Sequence, residues 1–520
     1  MKKPFDVLKF LSKAFWIALT VSLVVVALAL VFPAQFQRLS GTLRTYIGTN
    51  FDWYYLAFVT MLVVVCFYMI VSPMSKIRLG DPKSKPEYSK FSWLAMLFSA
   101  GMGIGLVFYG AAEPLSHFAI SAPEAELYSQ DALSDALKFS FFHYGIHAWA
   151  IYAIVGLSLA YFQFRKKEAT LISATLKPLF GAKTSGLLGQ IIDSLTIFAT
   201  VVGVATTLGY GAVQINGGLN QLFDVPFSST IQLIIIAVAT FLFILSALSG
   251  LGNGVRILSN FNMILAGLLL FLGLCVGPKV LILDNLVSSI GAYLNDFARM
   301  SFRTAPGSTT EQQWIQDWTI LYWAWWISWS PFVGVFIARI SKGRTIREFL
   351  THVLLIPSGF SFIWFSVFGV LSTNAVTTNK ALAQLPFEQI LFGVLEEYPL
   401  TSLISGLAII LICTFFVTSA DSATYVLAMQ SEHGNLNPNN KVKVVWGLLL
   451  SLIAAVLLLA GGLDALQNVL IIVAFPFSII LILVVISLIK ELQFEQKKMG
   501  LYIKADTYPE IDFPFRSYDD

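Results

Sequence analysis

Read for its hydrophobic and polar positions, the chain alternates between long apolar runs and short polar connections almost from end to end. A helix needs about 20 apolar residues to cross a bilayer. Runs of that kind lie near 14–33, 53–72, 91–112, 138–162, 188–215, 230–250, 260–282, 318–339, 349–373, 402–428, 444–462 and 466–489, and they predict twelve transmembrane helices. The stretch near 286–303 is more mixed. It carries Asp296, Arg299 and Arg303, and reads as amphipathic and interfacial. The first run, Phe15 to Val31 behind Met1-Lys2-Lys3, is long for the core of a signal peptide, and further spans follow it. It reads as an uncleaved first helix.

Composition narrows the class. Of 520 residues, 57% are hydrophobic and only 12% charged, against roughly 25% charged in soluble proteins. The mean hydropathy of +0.75 agrees. The expectation is one all-α membrane domain. A net charge of +3 is too small to point to nucleic acid. The placement of charge says more. With the N-terminus in the cytoplasm and the spans alternating, 26 of the 33 lysines and arginines fall inside, as the positive-inside rule requires. Both termini are then cytoplasmic, and the tail from about 490 reads as a solvated segment at the inner surface.

The candidate chemistry is sparse for catalysis. Cys66, Cys275 and Cys413 lie in apolar runs without CxxC or Cys/His spacing, so neither a disulfide nor a zinc site is supported. His143 and His147 are four residues apart but lack the intervening Glu of HExxH. They read as packing or cavity-lining residues. A membrane enzyme would have only Glu113, His117, His143 and His147 to work with, and no separate catalytic domain, so the chain is not expected to be an enzyme.

Some spans break helix rules instead. Residues 101–114 read Gly-Met-Gly-Ile-Gly-Leu-Val-Phe-Tyr-Gly-Ala-Ala-Glu-Pro. Each interior glycine costs about 1 kcal/mol in a helix, so a break is expected here. A second is expected at Pro331, in Trp-Trp-Ile-Ser-Trp-Ser-Pro-Phe-Val-Gly. Backbone freed inside a membrane must find partners, and transporters use such places to hold substrates and ions. Each break opens a group of five spans, the pattern of an inverted repeat.

Aromatic residues crowd these places. Trp323, Trp325, Trp326 and Trp329 share one span; Tyr144, Trp149 and Tyr152 share another. Aromatic faces attract cations, by about 2 kcal/mol or more when desolvated. A quaternary ammonium has no N–H to donate, so an aromatic box is its natural receptor. Packing is the alternative reading of the same rings. On the tenth span Thr418, Ser419, Asp421 and Ser422 form a polar patch suited to a hard cation, or to bonding back onto helix carbonyls. Asp421, an acid within a membrane span, is a functional candidate by default.

These residues resemble the betaine/choline/carnitine transporter family over about 14–490. The resemblance rests on Gly101–Gly110 followed by Glu113-Pro114, on Tyr322–Gly334 continuing to Arg339-Ile-Ser-Lys-Gly-Arg-Thr-Ile-Arg-Glu, and on Thr418-Ser419-Ala420-Asp421-Ser422. It implies a leucine-transporter-like fold: two extra N-terminal helices (14–90, behind a cytoplasmic segment 1–13), a first five-helix repeat (91–282), an amphipathic linker helix on the outer side (283–317), a second repeat (318–489) and a cytoplasmic tail (490–520). It implies alternating access in a bacterial inner membrane, commonly as a homotrimer in lipid. It places the substrate among Trp149, Tyr152 and Trp326, with Tyr144 where betaine-specific members carry Trp, and with Met102 and Gly105 alongside. Trp325 and Trp329 would line the cytoplasmic pathway. A sodium site would use carbonyls of Ser99, Met102 and Phe415 with hydroxyls of Thr418 and Ser419. A second would keep Thr200 and Phe332 but meets Val204 where a hydroxyl is usual. Gly105, acidic in choline-type members, favours a zwitterion. The reading is sodium-coupled uptake of a glycine betaine-like osmolyte for osmoprotection, with no cofactor besides Na⁺ as coupling ion. Proton-coupled or exchange transport of choline, carnitine or another onium compound is the alternative.

Overall fold

The computed structural model describes residues 11–101, 103–249 and 254–500, without the side chains of 95, 98–101, 249 and 254–257. The N-terminal ten residues and the tail from 501 therefore lie outside the described residues. Nineteen α-helices make up most of the described residues. They are α1 Lys13–Val31, α2 Pro33–Val71, α3 Lys90–Gly101, α4 Ile104–Ala119, α5 Gln130–Tyr144, α6 Ile146–Ala160, the short α7 Ile172–Thr175 and α8 Lys177–Phe180, α9 Leu187–Phe223, α10 Ser229–Ser249, α11 Gly254–Val276, α12 Lys279–Asn295, the short α13 Phe297–Ser301 and α14 Thr309–Ile315, α15 Leu321–Ile340, α16 Ile346–Thr378, the short α17 Ile390–Glu396, α18 Thr401–Ser431 and α19 Asn440–Lys498. A single isolated β-bridge, Arg78 with Thr345, is present among the described residues.

Ten helical stretches among the described residues are long and apolar enough to cross a membrane, with α5–α6 and α14–α15 each counting as one span. The twelve apolar runs of the sequence fall onto them with two differences. The run 91–112 is divided between α3, of 12 residues, and α4, of 16. The last two runs share α19, which is 59 residues long and non-helical at Gly461 and Gly462. Gly462 has φ 64°, a left-handed backbone that glycine adopts without steric cost. The chain doubles back there. Near one end of α19, Lys443 lies over the Tyr425 ring, which Arg339 also contacts. Near the other end, Glu495 pairs with Arg165, which donates to the Gly80 carbonyl beside the Leu79–Gly343 backbone bond. Both ends thus reach the Arg339–Gly343 side, while Gly461 faces Gln37.

The break expected at Pro331 is absent: α15 is helical from Leu321 to Ile340 with the proline inside it. Proline removes the N–H that should reach the Ile327 carbonyl. The Ser330 hydroxyl donates to that carbonyl instead, at 2.7 Å, so the helix continues. The irregular turn comes earlier, a π-turn over Gln316–Ile320. The linker helix α12 starts at Lys279, a few residues before the expected 283, because Gly277-Pro278 closes α11 and Pro278 caps α12.

Burial sorts the helices by solvent. Every residue of α4 and α6 is buried, and α15 is buried nearly throughout. Helices apolar on all sides belong inside a bundle. By contrast α1, α10 and α11 leave Val24, Leu28, Val238, Phe241, Ile264 and Phe271 exposed. Apolar surface on that scale suits lipid rather than water.

Candidate functional site

The site begins at the division between α3 and α4. Gly103 is extended (φ −148°, ψ −177°) and caps α4, so the N-terminus of α4 borders an interior cavity at Gly103, Gly105 and Leu106. Two carbonyls in the first turn of α4 also accept from side chains on other helices: Gly105 from the Tyr144 hydroxyl at 3.1 Å, and Leu106 from Trp364 Nε1 at 3.0 Å. A second division lies between α5 and α6 at Gly145 (φ −95°, ψ −141°). A Cβ on Gly145 would stand 2.4 Å from the Phe141 carbonyl oxygen, so only glycine fits. This turn sets Tyr144 and Trp149 on either side of one cavity.

That cavity is lined by Gly103, Gly105, Leu106, Tyr144, Ala148, Trp149, Tyr152, Thr207, Trp325, Trp326, Trp329 and Ser361. No ionisable side chain except the tyrosines appears in this described wall. Rings meet edge to face around it: Trp149 with Tyr152 at 5.5 Å, Tyr152 with Trp326 at 6.2 Å, and Tyr144 with Trp326 at 5.2 Å. The three α15 indoles in this wall are tied down. Trp325 Nε1 donates to Thr207 Oγ1 at 3.0 Å, Trp326 Nε1 to the His143 carbonyl at 2.9 Å, and Trp329 Nε1 to the Gly203 carbonyl at 3.0 Å. Fixed rings lose little entropy when a ligand arrives. Gly105 leaves room: a Cβ there would lie 3.2 Å from Trp325 and 3.5 Å from the Tyr144 oxygen.

The structure therefore brings Gly105, Tyr144, Trp149, Tyr152 and Trp326 together. Trp325 and Trp329, expected along a pathway, stand in the wall of the same cavity. Thr207 and Ser361 were missed, because nothing in their sequence neighbourhood marks which helix face turns inward. Met102 and the side chain of Ser99 lie outside the described residues.

Around the expected sodium site, Thr418 Oγ1 lies 3.2 Å from the Phe415 carbonyl and 2.9 Å from that of Thr414. It accepts from Asn262 Nδ2 at 3.1 Å. The other amide atom, Asn262 Oδ1, is buried without a partner, an unused oxygen beside the expected ligands that sequence reading missed. Ser419 is buried one residue on. Asp421 accepts from Ser246 on α10, so it has a structural partner. At the second site the Thr200 hydroxyl bonds back to Thr196 at 2.9 Å, Val204 is buried, and Phe332 packs against Trp329.

The betaine/carnitine/choline transporter family matches residues 13–497 of the chain. The glycine betaine transporter OpuD of Bacillus subtilis is 53% identical over 500 residues, covering 96% of this chain and 98% of the relative. An ectoine/hydroxyectoine transporter of Virgibacillus pantothenticus is 42% identical, covering 94% and 97%. A glycine betaine/proline/choline transporter of Vibrio parahaemolyticus is 39% identical, covering 92% and 90%.

Proposed function

The chain belongs to the betaine/carnitine/choline transporter family and is a multi-pass membrane transporter, not an enzyme; from that premise we propose that it imports glycine betaine or a similar zwitterion by sodium symport, for osmoprotection. The observation that carries this reading is the cavity where Tyr144, Trp149, Tyr152 and Trp326 meet the N-terminus of α4. Aromatic faces suit an onium group. A helix N-terminus suits a carboxylate. A zwitterion offers both ends and needs no protein charge beside it, in keeping with Gly105. Glycine betaine and ectoine, named for the Bacillus and Virgibacillus relatives, support the zwitterion; choline, named beside glycine betaine for the Vibrio relative, is the competitor to test.

For the mechanism, we take Na⁺ to be held by oxygens from Ser99, Met102 and Phe415 with Thr418 and Ser419. The nearness of Phe415, Thr418 and the unused Asn262 oxygen supports an oxygen-rich site, the kind a hard cation prefers. The Thr200–Phe332 position lacks a second hydroxyl, so one sodium site carries the coupling in this reading. Ion and substrate shift the population between outward- and inward-facing states by differential binding.

The architecture in this proposal has twelve crossings. The ten long helices supply ten, the doubled-back α19 one more, and the α3–α4 pair the last. These form two outer helices and two inverted five-helix repeats about α12, with both termini in the cytoplasm of a bacterial inner membrane. The exposed apolar face of α12 (Val280, Leu283, Val287) faces lipid or another copy in a homotrimer.

Uptake of radiolabelled glycine betaine into proteoliposomes, with and without an inward sodium gradient, tests this. Choline, carnitine and ectoine serve as competitors. Accumulation that needs sodium and resists choline is the expected result. Uptake indifferent to sodium, or choline as the preferred solute, removes the symport or the zwitterion.

A further inference from the structure

Behind the aromatic cavity lies a buried polar cluster that the transport reading leaves unused. Glu113 on α4 has no exposed surface, and three groups converge on its carboxylate. His143 Nδ1 lies 2.6 Å from Oε1, His117 Nε2 lies 3.3 Å from the same oxygen, and the Tyr322 hydroxyl donates to Oε2. A carboxylate only accepts, so both imidazole nitrogens facing it are donors. In a neutral His143 ring, Nε2 then accepts from the Thr319 hydroxyl, 3.0 Å away. An acid inside a membrane is expensive and marks function by default.

Glu113, His117 and His143 are close enough to hold a metal ion. The nitrogens that point at the carboxylate are already committed, however. Only His117 Nδ1 among these atoms lacks a partner, and one free donor makes a poor site.

The cluster's neighbours are more telling. The Tyr322 ring stacks on Trp326 at 5.7 Å and 20°, and meets Tyr144 edge-on at 5.2 Å. The backbone carbonyl of His143 accepts the Trp326 N–H. Trp326 is thus held across its face by one donor to Glu113 and at its N–H by the residue that supplies another. We propose that Glu113 is a positioning residue for the onium cage, fixing the Trp326 ring plane from behind through Tyr322 and His143. The proposal rests on the reading of this cavity as the substrate site. It explains why a carboxylate sits beneath a cage whose own walls are uncharged.

The test uses full-length protein labelled with 5-fluorotryptophan, with the Trp326 resonance assigned by its loss in Trp326→Phe. Glu113→Gln keeps the size but loses the charge. It should move the Trp326 resonance in ligand-free protein and raise the Kd for glycine betaine about tenfold, the scale of a lost hydrogen bond to a charged group. Tyr322→Phe keeps the stacked ring and drops one donor. It should shift the same resonance and weaken binding about threefold; it decides the matter alone if Glu113→Gln does not fold. An unmoved resonance with wild-type affinity overturns the proposal, as does a lowered melting temperature without a resonance shift. Wild-type protein that binds no glycine betaine overturns the substrate reading instead, while the ligand-free resonance still reports on positioning.

Discussion

Trp326 concentrates the roles assigned to single residues. Its ring meets Tyr144 and Tyr152 edge-on and its N–H is committed to His143. Leucine fills much of the volume but has no π-face. Trp326→Leu should therefore bring uptake to background while the protein stays folded, since a desolvated cation–π contact is worth about 2 kcal/mol or more. Uptake together with a size-exclusion profile checks this; normal transport would end the cage. Gly105→Asp places a carboxylate against Trp325 and the Tyr144 oxygen. It should reduce glycine betaine uptake and admit choline, as competition assays would register. Replacing both Thr418 and Ser419 by Ala removes two hydroxyl oxygens from the expected ion site. The sodium concentration for half-maximal uptake should rise at least about tenfold, the scale of 1.4 kcal/mol; an unchanged sodium curve would remove the site.

At the scale of elements, two irregularities do different work. Gly145 divides α5 from α6, and its missing Cβ lets the Phe141 carbonyl approach. Gly145→Ala should disturb the turn between Tyr144 and Trp149, and with it substrate affinity, more than the single methyl suggests. Isothermal titration with glycine betaine reads this directly. Pro331 produces no division, because Ser330 supplies the hydrogen bond the proline cannot. Ser330→Ala leaves the Ile327 carbonyl unpaired in a buried helix, at a cost of about 1–3 kcal/mol. A lower melting temperature for Ser330→Ala is the expected outcome, and an unchanged one would mean that the helix tolerates the open carbonyl.

At the scale of the whole molecule, charged side chains also tie distant helices together. One cluster joins α5 to the end of α12: Lys138 reaches Asp135 and Asp296 at 2.8 Å, and Arg299 reaches Asp296 at 2.8 Å and Glu124 at 2.7 Å. Burial by itself raises the Asp296 carboxyl, but hydrogen bonds from Lys138 and Arg299 outweigh it and hold the group down at about 2. A lowered folded pKa stabilises the protein above the unfolded value near 4, and that contribution fades as pH falls toward 2. Asp296→Asn should lower the melting temperature slightly at pH 7, with a difference that shrinks below about pH 4. A difference independent of pH would show that the ion pairs are not its source.

Much of this protein was determined by sequence alone. Twenty-residue apolar runs have one stable arrangement in a bilayer, because every backbone group must be bonded within the segment. Helix class follows from that, the division before α4 follows from the helix cost of its glycines, and the family motifs carried the aromatic residues of the candidate site. Tertiary structure decided the rest. Whether Pro331 breaks its helix depended on the Ser330 rotamer, which no periodicity encodes. That two runs share α19 depended on which side its ends pack against. Thr207, Ser361, Asn262 and the Glu113 cluster became visible only when helices far apart in the chain were brought together. A sequence shows which residue types a helix carries, but only packing shows which faces meet.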